Sequence, residues 1–545
     1  MKLISFPIHI KSLFCILVNV ASFGFGEQNQ SFANLKGPET VSFFDGSSLL
    51  GSLHAIQDAD NLIWNHKSSK NHLAFDYKAV ESILFNREEN NQGKPAGSMV
   101  ILFKNKDFLR GSMRSLDSEK LIFSSGFGQS LEVKLADIHS VEFLPESYQV
   151  LYDYSYDFEK WKKSNTKAWT EEQGSLISVF SGSTGTTLPA VDAIEVRFEA
   201  EWQRSFYLAL RFFSDSDGGS YGSEGYHLSF SNNRINLQSN RKLKGRTMRE
   251  TLGSVMVDQL VGVKKANFKI YAHKQRKEFI VFVNGNEVAR WKDPTSDYSP
   301  ENNGLLFINQ GGNSYLRLEE LTIAGWSGEY FLTSPSAIDN QEGNQFISFK
   351  NGDSTSIQSS SSTENGLLIK TKRGTFEVPY ENIRSVHFPE NDQNTSRFTF
   401  NEEISLKRSL GKLSFKLESI NNDLLVGQHS YLGHFRVPLG SVKRLRCNLL
   451  LKSYREYLSQ IQLAEKELKS QNGEKALSIL ENTNSYFRSW YWKRLRFLAQ
   501  DSQAKEILWF TPHPEVGILK ASLNEQDENT IFTTSKTGSF ALWDE

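Results

Sequence analysis

Cysteine is almost absent: Cys15 and Cys447 are the two in 545 residues. Two thiols cannot build a disulfide framework, and zinc sites of the four-thiolate kind are excluded with it. A dominant charge is lacking too. Sixty-two Lys and Arg stand against sixty-three Asp and Glu, a formal net charge of −1, so the chain as a whole is not built to coat nucleic acid or an anionic membrane. After the first 26 residues there is no apolar run long enough to cross a bilayer. What is present is material for cores, 38% hydrophobic and 12% aromatic, enough to fold rather than stay disordered. At about 150 residues per domain, the length implies three or four folded units.

Lys2 and Lys11 precede an apolar stretch from Ser12 to Gly26, the pattern of a secretory signal. Residues 1–26 are therefore read as a signal peptide, with Gly24 and Gly26 at the −3 and −1 positions of a cut before Glu27. Asn19 and the glycines shorten the apolar part below the roughly 20 residues that span a bilayer, which makes an uncleaved anchor the weaker reading. Export to the periplasm or cell surface follows. The mature chain would then keep Cys447 alone and hold together without disulfides in an oxidising compartment.

Self-comparison aligns four segments, 38–86, 97–145, 343–390 and 402–448, whose closing phrases are VESILF, IHSVEF, IRSVHF and VKRLRC. Each has alternating apolar runs broken by polar or Gly turns, about five short strands in ~45 residues. The pattern resembles the Sm-like barrel family, most clearly at Asp45, Gly46, Gly51, Asp58 and Ile83. In that family RNA contacts depend on a late Arg-Gly pair; VESILF and IHSVEF have none, so nucleic acid is not expected as a partner. Units this small rarely fold alone without a staple. They are expected to pack on one another or on the central domain, and joining the two pairs across a long insertion costs little, about 0.6 kcal/mol per doubling of loop length.

From 150 to 328 the chain changes to long alternating runs with Trp161, Trp169, Trp202, Trp291 and Trp326. In AIEVRFEAEW, Ile194, Val196, Phe198, Ala200 and Trp202 share one face and Glu195, Arg197, Glu199 and Glu201 the other. Strands without helices over such a length must close as a sandwich or jelly roll. The order DFEKW, GSLISV, EVRFEAEW, GYHLSF, IVFVNGNEVARWKD and NNGLLFINQGGNSYLRLEELTI resembles the concanavalin A-like or laminin G-like sandwiches, in particular the 3-keto-disaccharide hydrolase-like type. The resemblance implies a jelly roll whose concave sheet holds saccharides.

Glycoside hydrolysis uses two carboxylates about 5 to 9.5 Å apart, and i, i+2 neighbours on a strand are about 7 Å apart. Glu199 and Glu201 are thus the least unlikely catalytic pair. Retaining glucanases of this fold carry Glu-x-Asp-x-x-Glu, and here Arg197 occupies the Asp position, so no catalytic residue is assigned. Glu195, Arg197, Glu199 and Glu201, with Tyr226, are instead read as a solvated or groove-lining polar face that binds ligand. Asp215 and Asp217 before Gly218-Gly219 are weak oxygen ligands for Ca2+, in a composition typical of a loop; no other cofactor is indicated. His227 reads as a structural imidazole. Between Arg234 and Lys277 there are twelve Lys or Arg and two acids, and between Ile404 and Lys505 eighteen against eight. The bland reading of these clusters is a solvated face; the other is an anionic polysaccharide as partner.

Residues 451–505 show helical spacing, broken at Asn472-Gly473. His513 to Glu545, with Gly538-Ser539 and the closing Trp543-Asp544, resembles one WD-type propeller blade within 508–545. A single blade cannot close a propeller, which points to a fragment of a longer propeller protein, or to an orphan blade that docks elsewhere.

The expected fold is mainly β: a jelly-roll sandwich inserted between pairs of small Sm-like β-barrels, then a helical hairpin and one propeller-type blade. The first functional expectation is an exported, non-enzymatic carbohydrate-binding or scaffold protein of the cell envelope, with a protein partner met through the propeller. The alternatives are a glycoside or 3-keto-disaccharide hydrolase acting through the sandwich, and a purely structural envelope protein.

Overall fold

The computed structural model describes residues 38–57, 60–87, 97–153, 158, 160–165, 167–172, 174–216, 223–243, 246–296, 298–311, 315–328, 345–389, 401–501, 518–524, 527–535 and 540–544. The expected signal peptide, Cys15, Asp58, Asp217, His513 and Gly538-Ser539 lie outside them. The chain divides into two compact units, Met1–Lys452 and Ser453–Glu545.

The first unit begins with strands β1 (Glu39–Phe43), β2 (Ser48–Gln57), β3 (Asn61–Asn65), β4 (Leu73–Asp76) and β5 (Val80–Leu84), followed by β6 (Met99–Phe103), β7 (Phe108–Leu116), β8 (Lys120–Ser125), β9 (Ser130–Lys134) and β10 (Ile138–Phe143). The insertion holds β11 (Gln149–Asp153), β12 (Lys162–Lys163), β13 (Thr170–Glu172), β14 (Ser175–Ser178), β15 (Gly182–Thr187), β16 (Ala193–Trp202), β17 (Tyr207–Ser214), β18 (Gly225–Ser231), β19 (Arg234–Leu243), β20 (Arg246–Met256), β21 (Lys265–His273), β22 (Glu278–Val283), β23 (Asn286–Lys292), β24 (Gly304–Asn309) and β25 (Leu316–Trp326). Then come β26 (Gln345–Phe349), β27 (Ser354–Ile357), β28 (Ser359–Ser362), β29 (Gly366–Thr371), β30 (Gly374–Pro379) and β31 (Ile383–His387), and finally β32 (Glu402–Leu406), β33 (Gly411–Asn421), β34 (Leu424–His429), β35 (Gly433–Pro438) and β36 (Val442–Arg446).

The four repeats share local devices. A single 3-10 turn precedes the last strand of each, at Tyr77–Ala79, Leu135–Asp137, Tyr380–Asn382 and Leu439–Ser441. In three of them the second strand carries a register shift, after Leu53, Met113 and Leu417, which sharpens twist and lets a short sheet curl. Such small sheets leave open edges, and here the edges meet each other. β5 of the first repeat pairs with β36 of the fourth, and β10 of the second with β31 of the third. Pairing thus nests across the insertion, and one apolar cluster runs through all four repeats, from Val41, Trp64 and Ile83 to Ile101, Phe123, Ile383, Phe415 and Leu445.

Glu402 and Glu39 occupy corresponding places in the fourth and first repeats. The Glu39 carboxylate accepts the Leu53 amide at 2.6 Å and pairs with Arg87. The Glu402 carboxyl, 4% exposed, accepts the Leu417 amide at 3.1 Å, and burial pushes it up to about 7 despite that bond. The folded chain therefore holds a proton there that the unfolded chain, with an ordinary carboxyl near 4.5, has released. Stability from this group is full below about pH 4.5 and falls as pH rises to about 7, by on the order of 2 kcal/mol. Urea midpoints at pH 5 and pH 8 should show that decline in the wild type and a shallower one in Glu402→Gln; equal slopes would remove Glu402 as its source.

The insertion is a two-sheet antiparallel sandwich. One sheet has the order β13-β14-β25-β16-β21-β22-β23 with β11 on β25, and the other β12-β15-β24-β17-β18-β19-β20. Strict alternation fills the space between them. Ile194, Val196, Phe198, Ala200 and Trp202 face inward from β16, as expected, and Leu208, Leu210 and Phe212 of β17 with Tyr226, Leu228 and Phe230 of β18 meet them from the opposite sheet. Aromatic edges join the layers, with Phe230 edge-on to Phe268 at 5.1 Å and Phe198 to Phe307 at 6.2 Å.

The second unit is helical and then stranded. Helix α1 (Leu449–Lys469) starts at the end of the first unit, and α2 (Gly473–Glu481) and α3 (Trp490–Asp501) follow. The break falls at Asn472-Gly473 as the spacing predicts. Tyr457, Ile461 and Ala464 of α1 form a core with Ala476 and Leu480 of α2, and α3 adds Trp492 and Leu495. Among the described residues no helix is long and apolar enough to cross a membrane. Strands β37 (Ile518–Asn524), β38 (Asp527–Ser535) and β39 (Phe540–Asp544) form a three-stranded antiparallel sheet.

Candidate functional site

The sandwich has two outer faces, and their polar residues meet different fates. On the eight-stranded sheet, the outward side chains of β16 do not form the solvated or groove-lining face expected of them, because the fourth repeat and the preceding linker cover that face. Glu195 is 5% exposed, pairs with Arg197 at 2.5 Å and accepts the Tyr148 hydroxyl at 2.9 Å. Burial opposes its ionisation, but Arg197 and then Lys269 outweigh burial and hold the carboxyl below its usual range. Glu199 pairs with Lys265 at 2.7 Å. Glu201 sits opposite Lys265 on β21 and Arg317 on β25.

A bulge in β25 organises the rest of this face. Register shifts between Arg197 and Glu199, and Glu320 takes φ of +53°, so the consecutive Glu319 and Glu320 both reach Arg446 of the fourth repeat, at 3.0 and 3.3 Å. Arg446 also grips Glu403 at 2.6 Å, and Lys443 reaches Asp153 at 3.0 Å. These groups dock one domain on another.

The seven-stranded sheet is different. Its outer face forms the floor of a cavity of about 670 Å³ lined by Ser183, Arg211, His227, Gln238, Asn240 and Arg249 among others. Each comes from strand alternation: Arg211 lies between the inward Leu210 and Phe212, and His227 between Tyr226 and Leu228. His227 stands opposite Arg211 on β17 and Gln238 on β19, while Asn240 stands opposite Arg249 on β20.

Burial, then the nearby Arg211 and Arg249, lower the His227 imidazole to about 4, so the ring is neutral near pH 7. Its Nε2 lies 3.2 Å from the Gln310 amide nitrogen. An NH2 group donates, so Nε2 accepts and the ring proton sits on Nδ1. That Nδ1 and the Asn240 Oδ1 are both buried and meet no hydrogen-bond partner among the described residues. The cavity therefore sets one unanswered donor near one unanswered acceptor, each costing about 1–3 kcal/mol while unmet. Among the described residues that line it there is no Asp or Glu.

Of the residues expected to bind ligand, none of Glu195, Arg197, Glu199, Glu201 and Tyr226 lines this cavity. Tyr226 points the other way, into the core, with its hydroxyl donating to Asp293 at 2.9 Å. Asp215 accepts the Glu224 amide at 2.9 Å and pairs with Lys242. Among the described residues no group of three or more His, Cys, Asp or Glu side chains is placed to hold a metal.

The chain matches no family model, and no curated protein matches it. Solved structures similar in part include the carbohydrate binding module CBM66 from Bacillus subtilis, at 14% identity over 30% of this chain and 94% of that one, TM-score 0.23. A Bacillus subtilis protein with a galectin-like fold gives 14% identity over 33% and 97%, TM-score 0.25. Sheep galectin-11 gives 11% over 26% and 95%, TM-score 0.20.

Proposed function

We propose that this chain is a carbohydrate-binding protein of the cell envelope and that its saccharide lies on the outer face of the seven-stranded sheet. One observation carries the reading: a roomy cavity lined by amide, hydroxyl, imidazole and guanidinium groups, with the His227 donor and Asn240 acceptor left for a hydroxylated guest. Sugar hydroxyls both give and accept hydrogen bonds, so they answer such a pair better than an apolar ligand does. The hydrolase alternative would place Glu199 and Glu201 at the chemistry, and both belong to the other sheet.

The leader pattern in residues 1–26 supports an exported protein. The four small stranded repeats are read as Sm-like barrels that carry the sandwich, and the last three strands as part of a propeller-type blade that meets a protein partner.

Glycan-array screening of the full chain, followed by calorimetry on the best sugar, tests the site. Asn240→Ala should weaken binding about 10-fold, the equivalent of about 1.4 kcal/mol, with an unchanged melting temperature. Unchanged affinity in Asn240→Ala and His227→Phe would move the site elsewhere.

A further inference from the structure

We infer that helix α3 (Trp490–Asp501) seats on an anionic phospholipid surface, with Trp490 and Phe497 among the acyl chains and Lys493 and Arg494 at the headgroup phosphates. This goes beyond the saccharide reading and stands on a different part of the chain. Helix α3 is apolar on two faces. Trp492, Leu495 and Ala499 face inward, in the core shared with α1 and α2. The helix is not free to roll and hide its other side, because the Trp492 indole donates to the Leu480 carbonyl at 2.9 Å and Arg496 pairs with Glu481 at 2.6 Å. On that other side Trp490, Arg494, Phe497 and Leu498 recur at i, i+4, i+7 and i+8, one stripe of a helix. Trp490 is 70% exposed and Phe497 53%, and Leu498 is exposed with them.

Charge decides what covers the stripe. From Arg488 to Asp501 there are four cations and one acid. Lys493 and Arg494 are exposed beside the apolar side chains, and the Arg494 guanidinium lies over the Trp490 ring at 5.6 Å. Lysine is depleted from the cores of protein interfaces, and a protein would need acids set opposite both cations. Acidic phospholipid presents phosphate everywhere on its surface and apolar chains just beneath. Long basic stems lie along those chains while their heads reach phosphate, and each Lys or Arg near an anionic leaflet adds to the attraction. Tryptophan settles at the same depth, apolar in its rings and a donor at Nε1. With 12 residues the helix is about 18 Å long, too short to cross an apolar layer of roughly 30 Å, so it lies in the surface plane.

Quenching of tryptophan emission in the full chain by vesicles of brominated phosphatidylcholine, alone or mixed with phosphatidylglycerol, tests the assignment. Residues 1–26 contain no tryptophan, so a leader inserted in the bilayer adds no signal. Mixed vesicles should quench, less so with added salt, and pure phosphatidylcholine should need about 10-fold more lipid for the same effect. Trp490→Phe should lose most of the quenching with an unchanged melting temperature. Lys493→Gln/Arg494→Gln should need about 10-fold more mixed lipid than the wild type, whereas Lys372→Gln/Arg373→Gln, in an exposed turn between β29 and β30, should match it. Quenching undiminished in Trp490→Phe would put another tryptophan at the bilayer and overturn the assignment. Equal quenching by the two vesicle types, or an unchanged lipid requirement in the Lys493/Arg494 variant, would overturn it by removing the part played by charge. Quenching by neither vesicle would overturn it as well and leave the stripe to a protein.

Discussion

Arg446→Ala is expected to lower the unfolding free energy of the first unit by about 3–5 kcal/mol, the range for removing one partner of a buried ion pair. The size follows from what is left behind. Arg446 is the common partner of Glu319, Glu320 and Glu403, which come from β25 and β32 and share a face screened from water. Burial alone would raise the Glu319 carboxyl, yet Arg446, with Arg317 and Arg444, draws it down to about 2. Without the guanidinium, three carboxylates face one another with Arg317, Lys443, Arg444 and Lys412 as the remaining cations. Arg446→Met separates charge from bulk, because it keeps the stem and should cost nearly as much as alanine. Urea denaturation measures both, and a loss below about 1 kcal/mol in the two variants would mean that the network does not hold the sandwich to the repeats.

The second large effect is Gly225→Ala, at the start of the strand that carries His227. Gly225 has φ of +120°, and a Cβ there would lie 2.5 Å from the Phe212 carbonyl oxygen and 3.2 Å from that of Phe213. Both obstacles are backbone in the neighbouring strand, so neither can swing aside. Left-handed strain and a clash act together, and the cost should reach about 3 kcal/mol or more. Gly285→Ala supplies the contrast: its φ is +87°, and nothing lies within 4 Å of the added carbon, so conformation alone should cost about 1 kcal/mol. Thermal melts of the two variants compare the terms. Equal losses would show that β17 does not approach Gly225 closely enough to clash with an added Cβ.

These residues also show where sequence patterning stops. Alternation in AIEVRFEAEW places Ile194, Val196 and Phe198 in the core, because a period of two admits one choice of inner face. The same alternation cannot say which of two polar outer faces another domain will cover. Glu195 and Arg197 look as solvent-facing in the sequence as Arg211 and His227 do. The difference is made by Tyr148, whose hydroxyl meets both Glu195 and Arg197, and farther along the same face by Arg446, toward which a one-residue bulge at Glu320 turns two adjacent glutamates. Tyr226 is another matter: its neighbours Leu228 and Phe230 at i+2 and i+4 place it inward, and that spacing, applied to GYHLSFS, brings out His227 as the outward residue. The nested pairing of repeats was legible as an expectation of contact, since open edges and small cores require partners, although no local phrase identifies β36 as the partner of β5.

Hydrogen–deuterium exchange of the full chain, with and without a saturating concentration of the sugar that binds best on the glycan array, tests most directly where the ligand sits. Slower exchange in 207–214 and 225–243, with 193–202 unchanged, is expected if the seven-stranded sheet holds the sugar. Slowing confined to 193–202 and 265–273, on the sheet covered by the fourth repeat, would contradict it.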